Sequence, residues 1–271
     1  MTKRTWYRVA LARPGVVRLV ASSGEHMGQA IAEAVDHIAG SWPVAVDNAP
    51  EEIIPLGESV GKGHVIMLGD APPDLPTFRW PTGVLPSLEG APALAAARPG
   101  WIVRPDRKLL VIEAQTDEEH IIDLFLGLIE KLPSADNLEV RVQPHFEDAP
   151  ATHVWLTSRV NAKKILRFLD DHDVELIGNG HLELSVYVRA HKATLRLTEH
   201  KTVVWIAEDG ALEADVERWL GELGVPRVDS LTTIAEAPHF HYRPAKSRDR
   251  KKLEEELYRQ RLRKVATEPK A

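Results

Sequence analysis

His239 and His241 are the side chains of this sequence whose type and spacing point most directly to chemistry. Placed two residues apart in a strand they would turn both imidazoles to one face. His145 stands in a matching Pro-His-Phe triplet far upstream. Three imidazole nitrogens could hold a catalytic metal with an open position. Repetition argues the other way, because a residue found at equivalent ends of two units is usually there for the turn it makes. No metal or other cofactor is therefore assigned, and His145, His239 and His241 stand as candidates only.

Other reactive groupings have simpler explanations. Asp170-Asp171-His172-Asp173 is an acidic cluster at the end of a helical pattern, where acids oppose the helix dipole and suit a solvated loop better than a calcium site. Gly57-Glu58-Ser59-Val60-Gly61-Lys62-Gly63 lacks the glycine-to-GK[ST] frame of a phosphate loop. Ser22-Ser23 with His26, and Ser158, have no Gly-x-Ser-x-Gly elbow to sharpen a nucleophile. No catalytic residue is assigned, and the chain reads as a binding protein more readily than as an enzyme.

Two groups of residues suit contact with a partner. Trp42, Phe78, Arg79 and Trp80 lie among prolines, where large rings can anchor a surface. Lys251, Lys252, Arg259, Arg261, Arg263 and Lys264 make the C-terminal stretch basic. Trp6, Trp101, Trp155, Trp205 and Trp219 fall in periodic apolar segments and are assigned to cores.

Charge separates along the chain. From Arg243 onward eleven Lys or Arg stand against five Asp or Glu, so this tail carries +6 and the preceding body −12 of a net −6. An acidic body repels polyphosphate, which makes another protein the expected partner and nucleic acid a lesser one. The 271 residues are 44% hydrophobic, enough for packed cores. With no cysteine there is no disulfide framework or thiolate site. The N-terminus shows no apolar leader and no segment approaches the roughly 18 apolar residues of a membrane span, so a cytoplasmic protein without membrane association is expected. Oligomeric state is left open.

These residues must be positioned by elements the pattern also suggests. Thr5 to Leu11 and Val16 to Ala21 read as a hairpin turning at Pro14-Gly15. Ser22-Ser23-Gly24-Glu25 has capping-box spacing before a helix from about Gly24 to Ala39. Prolines then break the pattern over about 43–100, read as an inserted arm. Strands follow at Trp101, Leu109, Asn137, His153, Leu182, Leu195, Val203 and Val228, with helices from Asp117, Asn161 and Ala211. Arg248 to Lys264 is a charged helical tail with Leu253 and Leu257 as its main apolar stripe.

An internal echo organises the whole. Lys108 to Ala114, a helix and Pro144-His145-Phe146 match Lys201 to Ala207, a helix and Pro238-His239-Phe240. This predicts an α+β protein of tandem duplicated ferredoxin-like units of βαββαβ type: 1–148 with the Pro-rich insertion, 149–242, and the tail at 243–271. The leading expectation of function is a non-enzymatic adaptor or an immunity-type inhibitor. Paired ferredoxin-like units also serve RNA-processing proteins, a likeness of fold alone, and an α/β enzyme using the histidines is the third class.

Overall fold

Pro14 and Gly15 reverse the chain between β1 (Thr5–Arg13) and β2 (Val16–Gly24), and the hairpin closes with Arg13 opposite Val16. Gly15 takes φ 78° there, a conformation a side chain would strain. The computed structural model describes residues 4–49, 65–106, 108–208 and 210–270, which form a mixed α+β protein with several antiparallel sheets. Two compact units are present, Met1–Ala97 with Thr232–Lys246, and Arg98–Leu231 with Ser247–Ala271.

In the first unit, β3 (Trp42–Asn48) and β4 (Val65–Asp70) flank the hairpin in a sheet ordered β3-β1-β2-β4. Helix α1 (Met27–His37) lays Ala30, Ile31 and Ala34 against Val9, Leu11 and Val20. β5 (Val84–Pro86) pairs antiparallel with β13 (His239–His241), and Trp80, Leu85, Leu94, Ile234 and Tyr242 join the same core. The described parts of the 43–100 stretch up to Ala97 thus contribute β3, β4, β5 and core residues to this unit. Its prolines fit because Pro43 lies in an edge strand, Pro86 ends a short one, and Pro92 opens a 3₁₀ turn, places that tolerate a missing N–H.

The second unit is built on one eight-stranded sheet. Its strands are β6 (Gly100–Arg104), β7 (Leu109–Gln115), β8 (Asn137–Val142), β9 (Ala151–Leu156), β10 (Leu182–Val188), β11 (Ala193–Leu197), β12 (Val203–Glu208) and β14 (Arg263–Pro269). They run in the order β14-β9-β8-β10-β11-β12-β7-β6, with every pairing antiparallel. Leu182, Leu184, Val186 and Val188 alternate into a core shared with α2 (Ile121–Lys131), α3 (Ala162–Asp170), the short α4 (Asp173–Leu176) and α5 (Glu213–Glu222). Burying each such side chain contributes about 1.5–3 kcal/mol, against about 1–2 kcal/mol to order each residue's backbone. Apolar residues at alternate positions are therefore what hold a strand. All five tryptophans assigned to cores are buried.

The echoed segments do not occupy separate units. β7 and β12 are neighbours in one sheet, Ile112 opposite Trp205, and α2 packs on α5. Of the repeated triplets, Pro144-His145-Phe146 belongs to the second unit and Pro238-His239-Phe240 to the first. The expected boundary at 148/149 falls within the second unit, between β8 and β9. Two neighbouring strand–helix segments thus face one core, and matching letters do not imply matching environments: Lys108 is exposed while its counterpart Lys201 is buried.

Local corrections follow from competing pairings. Ser22 and Ser23 extend β2 through its register with β1, so α1 begins after His26 without a side-chain cap. The helix expected from Asp117 likewise begins later, α2 starting after His120. Val228 to Ile234 forms no strand; Arg227 makes only an isolated bridge to Trp101. The tail is a helix followed by a strand, α6 (Arg250–Arg259) and β14.

Candidate functional site

Asp249 starts α6 by accepting the N–H of Lys252 at 2.9 Å, a side-chain cap. Leu253 and Leu257, one turn apart, face inward and are almost fully buried. Arg250 carries its guanidinium between the ends of β8 and β9, donating to Gln143 O at 2.6 Å and Ala151 O at 2.8 Å. Its Nε donates to Glu254 at 3.1 Å, and His153 Nδ1 meets the same carboxylate at 2.8 Å. A buried charge needs such satisfaction. The result is a helix fastened to the sheet by its first turn.

The other end of α6 turns sharply into β14. Arg261 takes φ 66°, its N–H donates to Tyr258 O at 3.0 Å, and Leu262 N–H donates to Leu257 O at 3.0 Å. This is a Schellman ending, with Leu257 and Leu262 supplying the accompanying apolar contact. β14 then pairs with β9, Lys264 opposite Trp155, with an irregularity at Val265. Glu268 is held by Arg141 of β8 and Lys270 N–H by Pro150 O.

The two edges of the large sheet differ. At the β6 edge, Trp101 N–H donates to Pro226 O at 2.9 Å and Val228 N–H to Trp101 O at 3.0 Å, so a following segment covers it. Among the described residues nothing covers the outer edge of β14, and all seven of its residues are exposed. Beside it opens a groove of about 550 Å³ lined by Trp155, Lys251, Glu254, Glu255, Tyr258, Arg259 and Lys264. Tyr258 is 73% exposed and Val265 55%. The indole N–H of Trp155 is enclosed without an acceptor among the described residues.

Cations outnumber carboxylates around the groove, where Lys251, Arg259 and Lys264 stand with Glu254 and Glu255. Glu254 is already engaged by Arg250 and His153, Lys252 pairs with Asp249 at 3.0 Å, and Arg259 with Glu256 at 3.3 Å. Lys251, Arg261, Arg263 and Lys264 make no ion pair among the described residues. All six basic residues singled out in the sequence lie on α6, its C-terminal turn or β14, while Trp155, read there as a core residue, and Tyr258 supply the rings.

The other candidates sit elsewhere. Trp80 is buried, 3% exposed, with Phe78 edge-on to it at 4.8 Å, and Arg79 covers the ring of Trp42 at 4.3 Å. Trp42 also donates to Thr77 O at 3.0 Å. All four lie in the first unit, Trp80 buried and Trp42, Phe78 and Arg79 part-exposed. His145 lies beside His181 at a ring distance of 5.0 Å, whereas His239 and His241 share β13. Ser23 accepts from Arg4, and burial pushes His26 down to about 4, with Arg243 adding to the effect. No hydrogen bond among the described residues joins Ser22 or Ser23 to His26. Ser158 lines a smaller hollow of about 260 Å³ with Phe168 and Leu262. Asp171 pairs weakly with Arg167 at 3.8 Å, and Asp173 bonds Val174 N–H. The Gly57–Gly63 stretch lies outside the described residues.

Sequence reading missed a buried polar cluster at the β11–β12 turn. Lys201, 1% exposed, donates from Nζ to Asn179 O at 2.6 Å. Burial pulls its pKa down to about 7, opposed by Glu199, while burial and then Glu183 push Glu199 up to about 7. On β10, burial likewise raises Glu183, and Tyr187 rises to about 12 through burial and its hydrogen bond to Glu139. A polar run between two strands carries no sign of inward direction, so no sequence signal marked it.

Fold and site together define an α+β protein with a capped sheet edge, an open basic one and an aromatic groove beside the latter. No protein-family model matches this chain, and no curated protein or solved structure gives a significant match. No helix among the described residues is long and apolar enough to cross a membrane.

Proposed function

We propose that the chain is a non-enzymatic protein-binding protein, an adaptor or immunity-type inhibitor, whose α6–β14 surface takes an extended acidic segment of its partner. The carrying observation is the open β14 edge flanked by Lys251, Arg261, Arg263 and Lys264. An exposed strand offers alternate N–H and C=O groups for an added strand, which supplies affinity, while the Trp155–Tyr258 groove would select a side chain beside it. Basic side chains both attract an acidic partner and discourage self-pairing of the edge. The tail of this reading is accordingly a folded docking element; the Trp42–Arg79 and Phe78–Trp80 contacts give the other group a structural role.

RNA is the weaker partner on the same observations. The polar side of the large sheet interleaves charges, Arg141 with Glu139 at 3.3 Å and Arg196 with Glu183 at 3.5 Å, so it offers no uniformly basic track.

The test is a fluorescence titration of the full chain with a labelled peptide alternating Glu and Val, at low and high salt. Saturable binding that weakens with salt and is lost in a Lys251→Glu/Lys264→Glu variant supports the reading. Absence of binding at low salt, or binding indifferent to that variant, overturns it. Tighter binding of single-stranded RNA at the same residues would transfer the site to nucleic acid.

A further inference from the structure

Within the first unit, β13 is pinned along its length. Pro238 O accepts from Ser87 N–H at 2.9 Å, Tyr242 N–H donates to Gly83 O at 2.8 Å, and the intervening residues pair with Val84–Pro86. Phe240 packs toward the core, which turns the flanking His239 and His241 to the opposite face. Both imidazoles are part-buried and meet edge to face, ring centres 5.0 Å apart. Their Nε2 atoms converge to 3.1 Å.

The second nitrogen of His239 fixes the chemistry of the first. His239 Nδ1 lies 2.7 Å from Ala237 O, a carbonyl that can only accept, so Nδ1 carries the proton and Nε2 presents a lone pair. That is the support a metal-binding histidine characteristically receives from a backbone carbonyl. At metal–nitrogen distances of about 2.0–2.1 Å, nitrogens this far apart subtend roughly 100° at a shared ion, between octahedral and tetrahedral angles.

We propose that His239 and His241 are a chelating pair for a borderline divalent transition cation, of the zinc, nickel, cobalt or copper(II) class, with water or other donors completing its coordination. Paired imidazoles favour these ions over calcium or magnesium, which take oxygen ligands. Without a cation, one ring must donate N–H to the other to explain the same approach, so the two states are chemically distinct. The site is independent of the β14 surface, and either reading can fail alone.

The experiment uses the full chain without a histidine tag, stripped with EDTA and titrated calorimetrically with zinc chloride and nickel sulfate. The expected result is one saturable equivalent per chain, weakened about tenfold or more by His239→Gln or His241→Gln and unchanged by His145→Gln. Absence of saturable binding, or binding that survives the double variant, overturns the proposal. Should the variants misfold by circular dichroism, histidine nitrogen NMR of the unaltered chain decides. Zinc must then shift the Nε2 resonances of His239 and His241, and resonances that stay in place refute the pair.

Discussion

Lys201 sits at a left-handed position, φ 62°, in the turn joining β11 to β12, and its ammonium is drawn inward to the Asn179 carbonyl. One carbonyl replaces the water shell of a cation poorly, which is why burial lowers its pKa from 10.5 to about 7. Between those values the unfolded chain binds more protons than the folded one, so stability rises with pH. Glu199 works in the opposite sense. Its pKa is raised from 4.5 to about 7, so between these values the folded chain binds more protons and stability falls as pH rises. This pair alone therefore gives a stability minimum near neutrality. Urea midpoints measured at pH 5, 7 and 9 should show it, with Lys201→Met flattening the upper limb and Glu199→Gln the lower. A rise from pH 7 to 9 that persists in Lys201→Met would assign the effect to other groups.

Helices α2 and α5 show how alike two elements can look in sequence and how differently they are packed. Gly127 and Gly221 occupy echoed positions. A methyl group at Gly127 would come within 2.7 Å of Leu223 Cδ2, because the helices approach closely there, whereas at Gly221 it would meet nothing within 4 Å. Alanine is favoured over glycine in a helix interior by about 0.5–1 kcal/mol. Gly221→Ala should raise the stability of the chain by about that amount. Gly127→Ala should gain less or lose, since Leu223 must shift. Comparing the two urea midpoints checks this, and equal gains would mean that the helix contact is loose. The same scale explains the displaced helix starts: local spacing predicted helices from about Gly24 and from Asp117, but pairing of β1 with β2 claimed Ser22, Ser23 and Gly24 for a strand, and α2 begins only after His120. The hairpin at Pro14-Gly15, the β10 alternation and the α3 start were legible because their signals are short range. Asn161 caps α3 through Lys164 N–H as its position before an amphipathic run suggests.

At the scale of the molecule, the chain leaves the first unit after Ala97 and returns to it for Thr232–Lys246. That return supplies β13 together with Ile234, Ala237 and Tyr242 to the first unit's core. A fragment of residues 1–97 should therefore fail to fold cooperatively, and one joining 232–246 to it through a flexible Gly/Ser linker should succeed. Amide dispersion and urea unfolding report the outcome; cooperative unfolding of 1–97 alone would show that the returning segment is dispensable. The charge separation read from the sequence also takes on form here. From Ser247 onward the basic stretch becomes a helix and an edge strand completing the second unit, with Arg250, Leu253, Leu257 and Leu262 buried and Lys251, Lys252, Arg259, Arg261, Arg263 and Lys264 exposed.

By itself the sequence determined the mixed α+β class, most strands and helices, the tryptophan core positions and the basic character of the C-terminal stretch, since each follows from periodicity, turn chemistry or composition over neighbouring residues. Tertiary structure alone decided that the echoed strands lie side by side, that the proline-laden stretch builds a sheet, that Trp80 is buried, and that Trp155 and Tyr258 meet the lysines around one groove. Those outcomes depend on which distant strands share a ladder and on how the two neighbours of each helix fill space, and no local pattern of residues encodes a partner so far along the chain.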